Sequence, residues 1–366
     1  MATTTEPDRD KIKKFAGQIL ADIATTMQGA LSYIGDRLGI FKAMAETGPV
    51  TVDELANKTG LSARYLREWL GAMTAARYVE YDPATTRYLL PPEHAAVLAD
   101  DNNPFFLCGF IQQSVPMISM APKVAEAYRT GKGVPQSDYP AEIFEAMERT
   151  SAGIYRYQLI RRWLPAMPQV EEKLRAGGAA LDVGCGSGRA AIAVAQAFPK
   201  ARVSGFDGHQ GSIDRSRANA KAAGLGDRVK FEVVDCTRLP AREFDFISTF
   251  DVVHDAVDPV GLMTSIRNAL TEDGTYLMVE MNVSPNVEEN INPLGKLMYS
   301  ASTLYCLTTS LAHGGAGIGA VMGEPKAREL AAKTGFSSFR RLPIQDPFSA
   351  LYELKPQAEC RERVRL

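Results

Sequence analysis

Apolar positions recur at threes and fours through Ile19, Ile23, Met27, Leu31, Ile34 and Leu38, which predicts a helix over about 13–48. The stretch VTVDELANKTGLSARYLREWLGAMTAARYVEYDPATTRYLL then predicts helix, turn at Gly60, helix, and two short strands around Asp82–Pro83. Thr51 is expected to cap the first of these helices, with Glu54 three residues on closing a capping box, and Ser62 the second. This is a winged-helix pattern. Residues 101–170 read as helical, interrupted by loops in TGKGVPQSDYP. From about 178 the period changes. The runs AALDVG, ARVSGFD, VKFEVVD, FDFISTF and TYLMVEM predict strands, and helices follow Gly188, Gln210, Pro259 and Pro325. Two further extended runs, FSSFRRLPI and SALYELK, close the pattern. Alternating strands and helices imply a parallel sheet with right-handed crossovers. The expected organisation is a helical winged-helix domain over 1–100, a helical linker over 101–170 that contributes to a substrate pocket, and an α/β, Rossmann-like doubly wound domain over 171–366.

Composition narrows the function classes. The 366 residues are 45% hydrophobic and 23% charged, with a formal net charge of −2, so no global basic field suits nucleic acid or anionic lipid. The winged-helix stretch balances Lys58, Arg64, Arg67 and Arg77 against Asp53, Glu54, Glu68 and Glu80, a poor surface for phosphate. Scaffolding or dimerisation is the expected role of this domain. The start MATTTEPDRDKIKK has no apolar leader, and FFLCGFIQQSVPMISMAP is broken by Gln112, Gln113 and Pro116, so it reads as buried or pocket-lining. Cys108, Cys185, Cys236, Cys306 and Cys360 are scattered, with no CxxC or Cys/His cluster along the chain. The expectation is a cytoplasmic enzyme with reduced thiols and no metal centre.

The candidate chemistry begins at LDVGCGSGRA, residues 181–190. Gly184, Gly186 and Gly188 form the turn between the first strand of the α/β region and its helix, where open α/β sheets bind ligands. The dinucleotide pattern G-x-G-x-x-G is not met, because Arg189 stands where the third glycine belongs. Asp207 ends the second strand of that region, where a carboxylate accepts from ribose hydroxyls. Asp235, followed by Cys236, ends the third and can accept from an amino group.

The ordered motifs LDVGCGSGRAAIAVA, GFDGH, VVDCTRLP, FDFISTFDVVHDAVDP and LTEDGTYLMVEM resemble those of the class I S-adenosylmethionine (SAM)-dependent methyltransferases, over roughly residues 178–345. The resemblance implies that Gly184, Gly186 and Gly188 cradle the methionine part of SAM, that Asp207 holds the ribose and that Asp235 holds the adenine. Asp182, Cys236 and Phe250 fall within the same implied cofactor set. It implies S-adenosylhomocysteine as the product. On this reading side chains are removed from the loop so that the cofactor's carboxylate lies against main chain.

His254 follows the fourth of these strands, at the edge where chemistry is expected, with Asp255 beside it. Asp258–Pro259 reads as the N-cap and first position of the next helix. This stretch resembles the His–Asp of O-methyltransferases that pair an N-terminal winged-helix dimerisation domain with a SAM domain, in which the histidine is the general base. Methyl transfer from a sulfonium is an in-line displacement that needs alignment and, for an alcohol, deprotonation. Histidine, with an ordinary pKa of ~6.5, suits that task. Asp251, Asp255 and Glu280 are each candidates to orient the ring. A thiol acceptor, with pKa ~8.5, needs less help, so S-methylation stands as the alternative. N-methylation, a SAM- or metabolite-sensing winged-helix regulator and a nicotinamide oxidoreductase rank behind.

The segment NPLGKLMYSASTLYCLTTSLAHGGAGIGAVMGEPK reads as an apolar helix over an acceptor pocket followed by a mobile, glycine-rich loop, with a helix starting at Gly323–Glu324–Pro325. Met298, Tyr305 and His313 are its pocket candidates. Tyr139, Phe144 and Met147, with Tyr155, are candidates from the preceding helical region. The expected partners are a small-molecule acceptor and a second copy of the chain, without nucleic acid or membrane.

Overall fold

A computed structural model describes residues 6–356, so Cys360 lies outside the described residues. The chain divides into two compact units, one running to Val115 and the other from Pro116.

In the first unit the helix Arg9–Arg37 is followed by a separate helix, Ile40–Thr47. The single helix expected over 13–48 is broken at Gly39, which takes the left-handed conformation at φ 67°. Helices Val52–Thr59 and Ala63–Ala75 follow. Thr51 and Glu54 form the reciprocal capping box, whereas Ser62 stands at the N-cap without a side-chain bond. Strands β1 (Glu80–Asp82) and β2 (Arg87–Leu89) pair antiparallel as the wing. Met44, Leu55, Leu70 and Met73 are fully buried around Phe41 and Trp69. Each such side chain contributes roughly 1.5–3 kcal/mol, so this small core holds the unit together.

The second unit is organised by a seven-stranded sheet. Its strands are β3 (Ala179–Val183), β4 (Arg202–Asp207), β5 (Val229–Val233), β6 (Phe244–Phe250), β7 (Leu270–Met281), β8 (Phe336–Arg341) and β9 (Ser349–Pro356). Their order across the sheet is β5-β4-β3-β6-β7-β9-β8, parallel from β5 to β7, with β9 antiparallel to both β7 and β8. β3 is buried at every position, as a central parallel strand covered on both faces must be. One face packs on Leu159, Trp163 and Leu164 and on the helices Arg189–Ala197 and Gln210–Ala222. The other packs on Pro259–Ala269 and Gly323–Lys333. Asp258 caps the former of these through the Gly261 N–H, with Pro259 in the first turn.

The direction of winding reverses between β3 and β6, which opens a crevice at their carboxyl ends. The glycine loop leaves β3 there, and the loop bearing His254 leaves β6. Glu142–Ile154 continues into a π-helical stretch, Tyr155–Trp163, and a second π-helical turn occupies Ser302–Cys306. Among the described residues no helix is long and apolar enough to cross a membrane.

Candidate functional site

The three glycines have different reasons to be glycine. All have positive φ: 68° at Gly184, 52° at Gly186 and 75° at Gly188. A Cβ on Gly184 would lie 2.8 Å from Val252, and one on Gly188 would lie 2.7 Å from the Phe231 ring. Those two are demanded by the packing of the protein on itself. Only at Gly186 would a Cβ meet nothing within 4 Å. The expectation that side chains were removed to admit a ligand therefore fits Gly186, and internal packing explains the other two.

Around this loop stand carboxylates in contrasting states. Asp182, on β3, is buried, and its Oδ1 has no hydrogen-bond partner. Burial, reinforced by the Asp207 charge, pushes its pKa up to about 8. Asp207 accepts the Gly186 N–H at 3.0 Å and the His209 N–H at 2.8 Å, which ties β4 to the glycine loop. Asp235 is exposed and accepts the Thr237 N–H at 3.0 Å and its hydroxyl at 2.6 Å. Those bonds lower its pKa. Cys236 is half-buried and donates to Val234 O, and burial raises its thiol to about 11. The Phe250 ring lies 4.7 Å from Tyr155 and 6.2 Å from Trp163, centre to centre. Burial, reinforced by the negative charges of Asp182 and Asp251, holds the Tyr155 phenol well above its ordinary pKa. An orphaned acceptor at Asp182, an open glycine at Gly186 and strand-end carboxylates fit a cofactor with an ammonium and a ribose.

Glu148 was not singled out in the sequence, and it is the hub of the adjoining structure. It is 7% exposed and accepts from Arg189 Nε at 2.8 Å and from Asn219 Nδ2 at 2.9 Å, and it also pairs with Arg215. Asn219 donates in addition to Ser187 O at 3.0 Å. Arg189, the residue that breaks the dinucleotide pattern, thus fastens the helix Glu142–Ile154 to the glycine loop. No local signal marked it, because its partners Arg189, Arg215 and Asn219 lie 41, 67 and 71 residues away along the chain.

His254 is 1% exposed. Its Nδ1–H donates to Glu280 Oε2 at 2.5 Å, and Glu280 Oε1 accepts the Val253 N–H at 3.0 Å. Of the three carboxylates considered for orienting the ring, Glu280 at the end of β7 holds Nδ1. Asp255 Oδ1 approaches the other nitrogen, Nε2, at 3.2 Å in a geometry that leaves this oxygen without a hydrogen bond. Burial opposes a charged imidazolium here, but Asp255 and Glu280 outweigh it, so the His254 pKa stands well above its ordinary value. Cys306 also faces His254, and burial, with Asp255, pushes its thiol up to about 12. One ligand atom from each of His254, Asp255 and Cys306 lies within 4.8 Å of the other two. Asp251 has φ 56° and donates its N–H to Val279 O at 2.9 Å, which turns the chain sharply out of β6.

Tyr139, Phe144, Met147 and Tyr305 come together in one apolar cluster with Met117 and Met120. Tyr139 and Tyr305 meet edge to face at 5.0 Å. Both phenols are engaged, Tyr139 donating to Leu304 O at 2.5 Å and Tyr305 accepting from Gln136 at 2.8 Å. Phe144 stacks on His209 at 6.0 Å. Met298 is buried outside this cluster, and His313 is exposed at the end of the helix Leu307–Ala312. The loop after it, expected to be mobile, is tied down: Ala316 N–H donates to Val257 O at 3.1 Å, Gly319 N–H to His254 O at 3.3 Å, and Ala320 N–H to Ser302 Oγ at 2.9 Å. A separate cavity of about 720 Å³ opens at the amino ends of β4, β5 and β6, away from these groups.

Residues 174–335 match the family described as a methyltransferase domain, and residues 26–100 match the Rv2258c-like winged HTH domain. Over 115 residues the chain is 30% identical to a 27-O-demethylrifamycin SV methyltransferase of Amycolatopsis mediterranei, a match covering 31% of this chain and 42% of that protein. The fold is similar to a candidate O-methyltransferase of Nostoc punctiforme, with a TM-score of 0.71 at 19% identity, over 96% of this chain and all (100%) of that one. It is also similar to human N-acetylserotonin methyltransferase, solved with SAM, with a TM-score of 0.64 at 18% identity, over 97% of this chain and 99% of that one.

Proposed function

We propose, from the premise that this chain joins a winged helix-turn-helix domain to a methyltransferase domain, that it transfers a methyl group from SAM to a hydroxyl of a small, largely apolar molecule. The observation that carries this reading is the buried His254–Glu280 pair at the carboxyl edge of the sheet. Because Nδ1 is committed to Glu280, Nε2 is the nitrogen left to take a proton. The O-directed name of the rifamycin relative supports oxygen as the acceptor atom.

SAM, when bound, supplies an electrophilic sulfonium methyl. Asp182, Gly186, Asp207 and Asp235 are the residues that would hold it. With Asp255 and Glu280 beside it, His254 holds a proton more tightly than an ordinary histidine, and a protonated ring must lose it before acting as a base. Asp255, next to Nε2 and with a side chain 30% exposed, gives that proton a path to solvent. The neutral ring then takes the acceptor's hydroxyl proton as the oxygen attacks, and Glu280 stabilises the imidazolium that forms. Tyr139, Phe144, Met147 and Tyr305 offer an apolar wall whose phenols are already occupied, and the carboxylates around His254 disfavour an anionic acceptor. The helix Arg9–Arg37 exposes Ile12, Phe15, Leu20, Ile23 and Met27, and we assign that face to a homodimer, which sedimentation of wild type against Phe15→Glu tests.

The test is methyl transfer from labelled SAM to a panel of phenols, alcohols, thiols and amines, with wild type and His254→Ala compared across pH. Labelled hydroxyls and a nearly inactive variant support the reading. Labelled thiols, with a variant that recovers as pH approaches the thiol pKa, replace it with S-methylation. SAM binding without transfer to any acceptor replaces it with a sensor.

A further inference from the structure

The Nε2 side of His254 carries more than a base requires. Three different donor types converge there: an imidazole nitrogen, a carboxylate oxygen of Asp255 and the Cys306 sulfur, all within 4.8 Å of one another. The nitrogen and oxygen are 3.2 Å apart. Ligands of a tetrahedral zinc-type ion stand about 3.3–3.6 Å from one another, so side-chain shifts on the order of 1 Å bring all three into range. His254 and Cys306 are buried, which favours an ion that sheds its water for nitrogen and sulfur. Asp255 Oδ1 has no hydrogen-bond partner, an arrangement that costs free energy until a cation or donor reaches it. On the far side of the ring, Glu280 takes the Nδ1–H at 2.5 Å and is itself fixed by the Val253 N–H. That carboxylate–histidine arrangement keeps the Nδ1–H in place, so that loss of the Nε2 proton leaves the lone pair on Nε2, the form a metal ligand needs.

We propose that His254 Nε2, Asp255 Oδ1 and Cys306 Sγ form a binding site for a thiophilic divalent cation of the zinc class, and that its occupation inhibits methyl transfer. The thiol and the Nε2 of the protonated ring each lose a proton to solvent on coordination, and the imidazole then binds through the lone pair it would otherwise offer to the acceptor. One lone pair cannot serve both, so metal and base action exclude each other. The inhibitory half rests on the proposed role of His254, whereas the binding half does not.

The test uses the full chain, first stripped with a chelator, without cofactor or acceptor. Titration with Co²⁺ is expected to give one ion per chain with a thiolate-to-metal absorption band, and Zn²⁺ to displace it. Cys306→Ser should abolish the band and Asp255→Asn should weaken binding, with melting curves confirming that both variants fold. Glu280→Gln should weaken binding by about 10–100-fold. Zn²⁺ should then suppress methyl transfer by the wild type, and a chelator should restore it. No bound ion, or a band that persists in Cys306→Ser, overturns the site. Faster transfer with Zn²⁺ overturns the inhibition. Because binding is read without turnover, failure of the metal site leaves the general-base reading intact.

Discussion

Replacing Glu280 with Gln keeps the shape at the end of β7 and removes one charge. Glu280 is buried, and its Oε2 lies 2.5 Å from His254 Nδ1, so the lost interaction is a charge-assisted hydrogen bond out of water. Such bonds contribute about 1.5–3 kcal/mol net. If that stabilisation is felt mainly by the imidazolium formed as the acceptor loses its proton, kcat falls by about 10- to 150-fold. The same change acts on pH dependence. With Asp255 and Glu280 beside it, His254 holds its proton above the ordinary histidine range, and a base works only once deprotonated. Wild-type kcat/KM is therefore expected to rise with pH through a midpoint above ~6.5, the ordinary histidine value. Glu280→Gln removes one of the charges that retain the proton, so its midpoint moves to lower pH while its plateau drops. Rates measured with one acceptor from pH 5 to 10 (a range set by the ~6.5 ordinary value) check both effects. An unchanged midpoint with an unchanged plateau refutes the pairing as the basis of catalysis. A lower plateau with an unchanged midpoint refutes the electrostatic account and leaves Glu280 a spacer.

Gly188→Ala forces a Cβ to 2.7 Å from Phe231 at φ 75°, so it should destabilise the second unit by about 2–5 kcal/mol, read as a fall in Tm. Gly186→Ala meets open space but sits at φ 52°, so it should lose only the left-handed backbone cost of about 1–2 kcal/mol, less than Gly188→Ala, while binding SAM more weakly by calorimetry. Asp182 has its folded pKa raised to about 8 from 3.8, so the fold binds its proton more tightly than the unfolded chain does. Stability must then fall as pH climbs between those values, and Asp182→Asn, melted without cofactor at pH 6 and pH 9 (either side of about 8), should lose less than wild type. Glu148→Ala leaves Arg189 and Arg215 without their carboxylate, and a loss of roughly 3–5 kcal/mol is expected in denaturant unfolding. Glu148→Gln, which keeps the hydrogen-bonding shape, should recover part of it.

The sequence by itself determined what depends on local chemistry. Short apolar runs bounded by turn residues, against a period of three to four, separated strands from helices, and Thr51–Glu54 and Asp258–Pro259 marked helix starts that the fold retains. The ordered glycine and aspartate motifs placed the cofactor candidates at strand ends, because a parallel sheet puts every such end on one edge. Ser62 shows where local reading stops: it occupies the N-cap position but makes no capping bond. The glycine loop shows the same limit, since neither the Phe231 ring behind Gly188 nor the Val252 side chain behind Gly184 is visible from a spacing of glycines.

Tertiary structure decided what depends on which distant residues meet. Glu280 is 26 residues from His254, so only the pairing of β6 with β7 chose it over Asp251 and Asp255 as the partner of Nδ1. Glu148 reaches Arg189 across 41 residues, Arg215 across 67 and Asn219 across 71, and no local pattern marks an acid as the hub of two other helices. Cys306 meets His254 from far along the chain, where the loop 313–322 also bonds the His254 carbonyl and the Ser302 hydroxyl. Each of these is a polar group taken out of water, and its charge state is set by what surrounds it in space. Backbone propensity and side-chain period act within a few residues, whereas desolvation and Coulomb interaction act through space, and that is why the fold was legible along the chain and the electrostatics of the site were not.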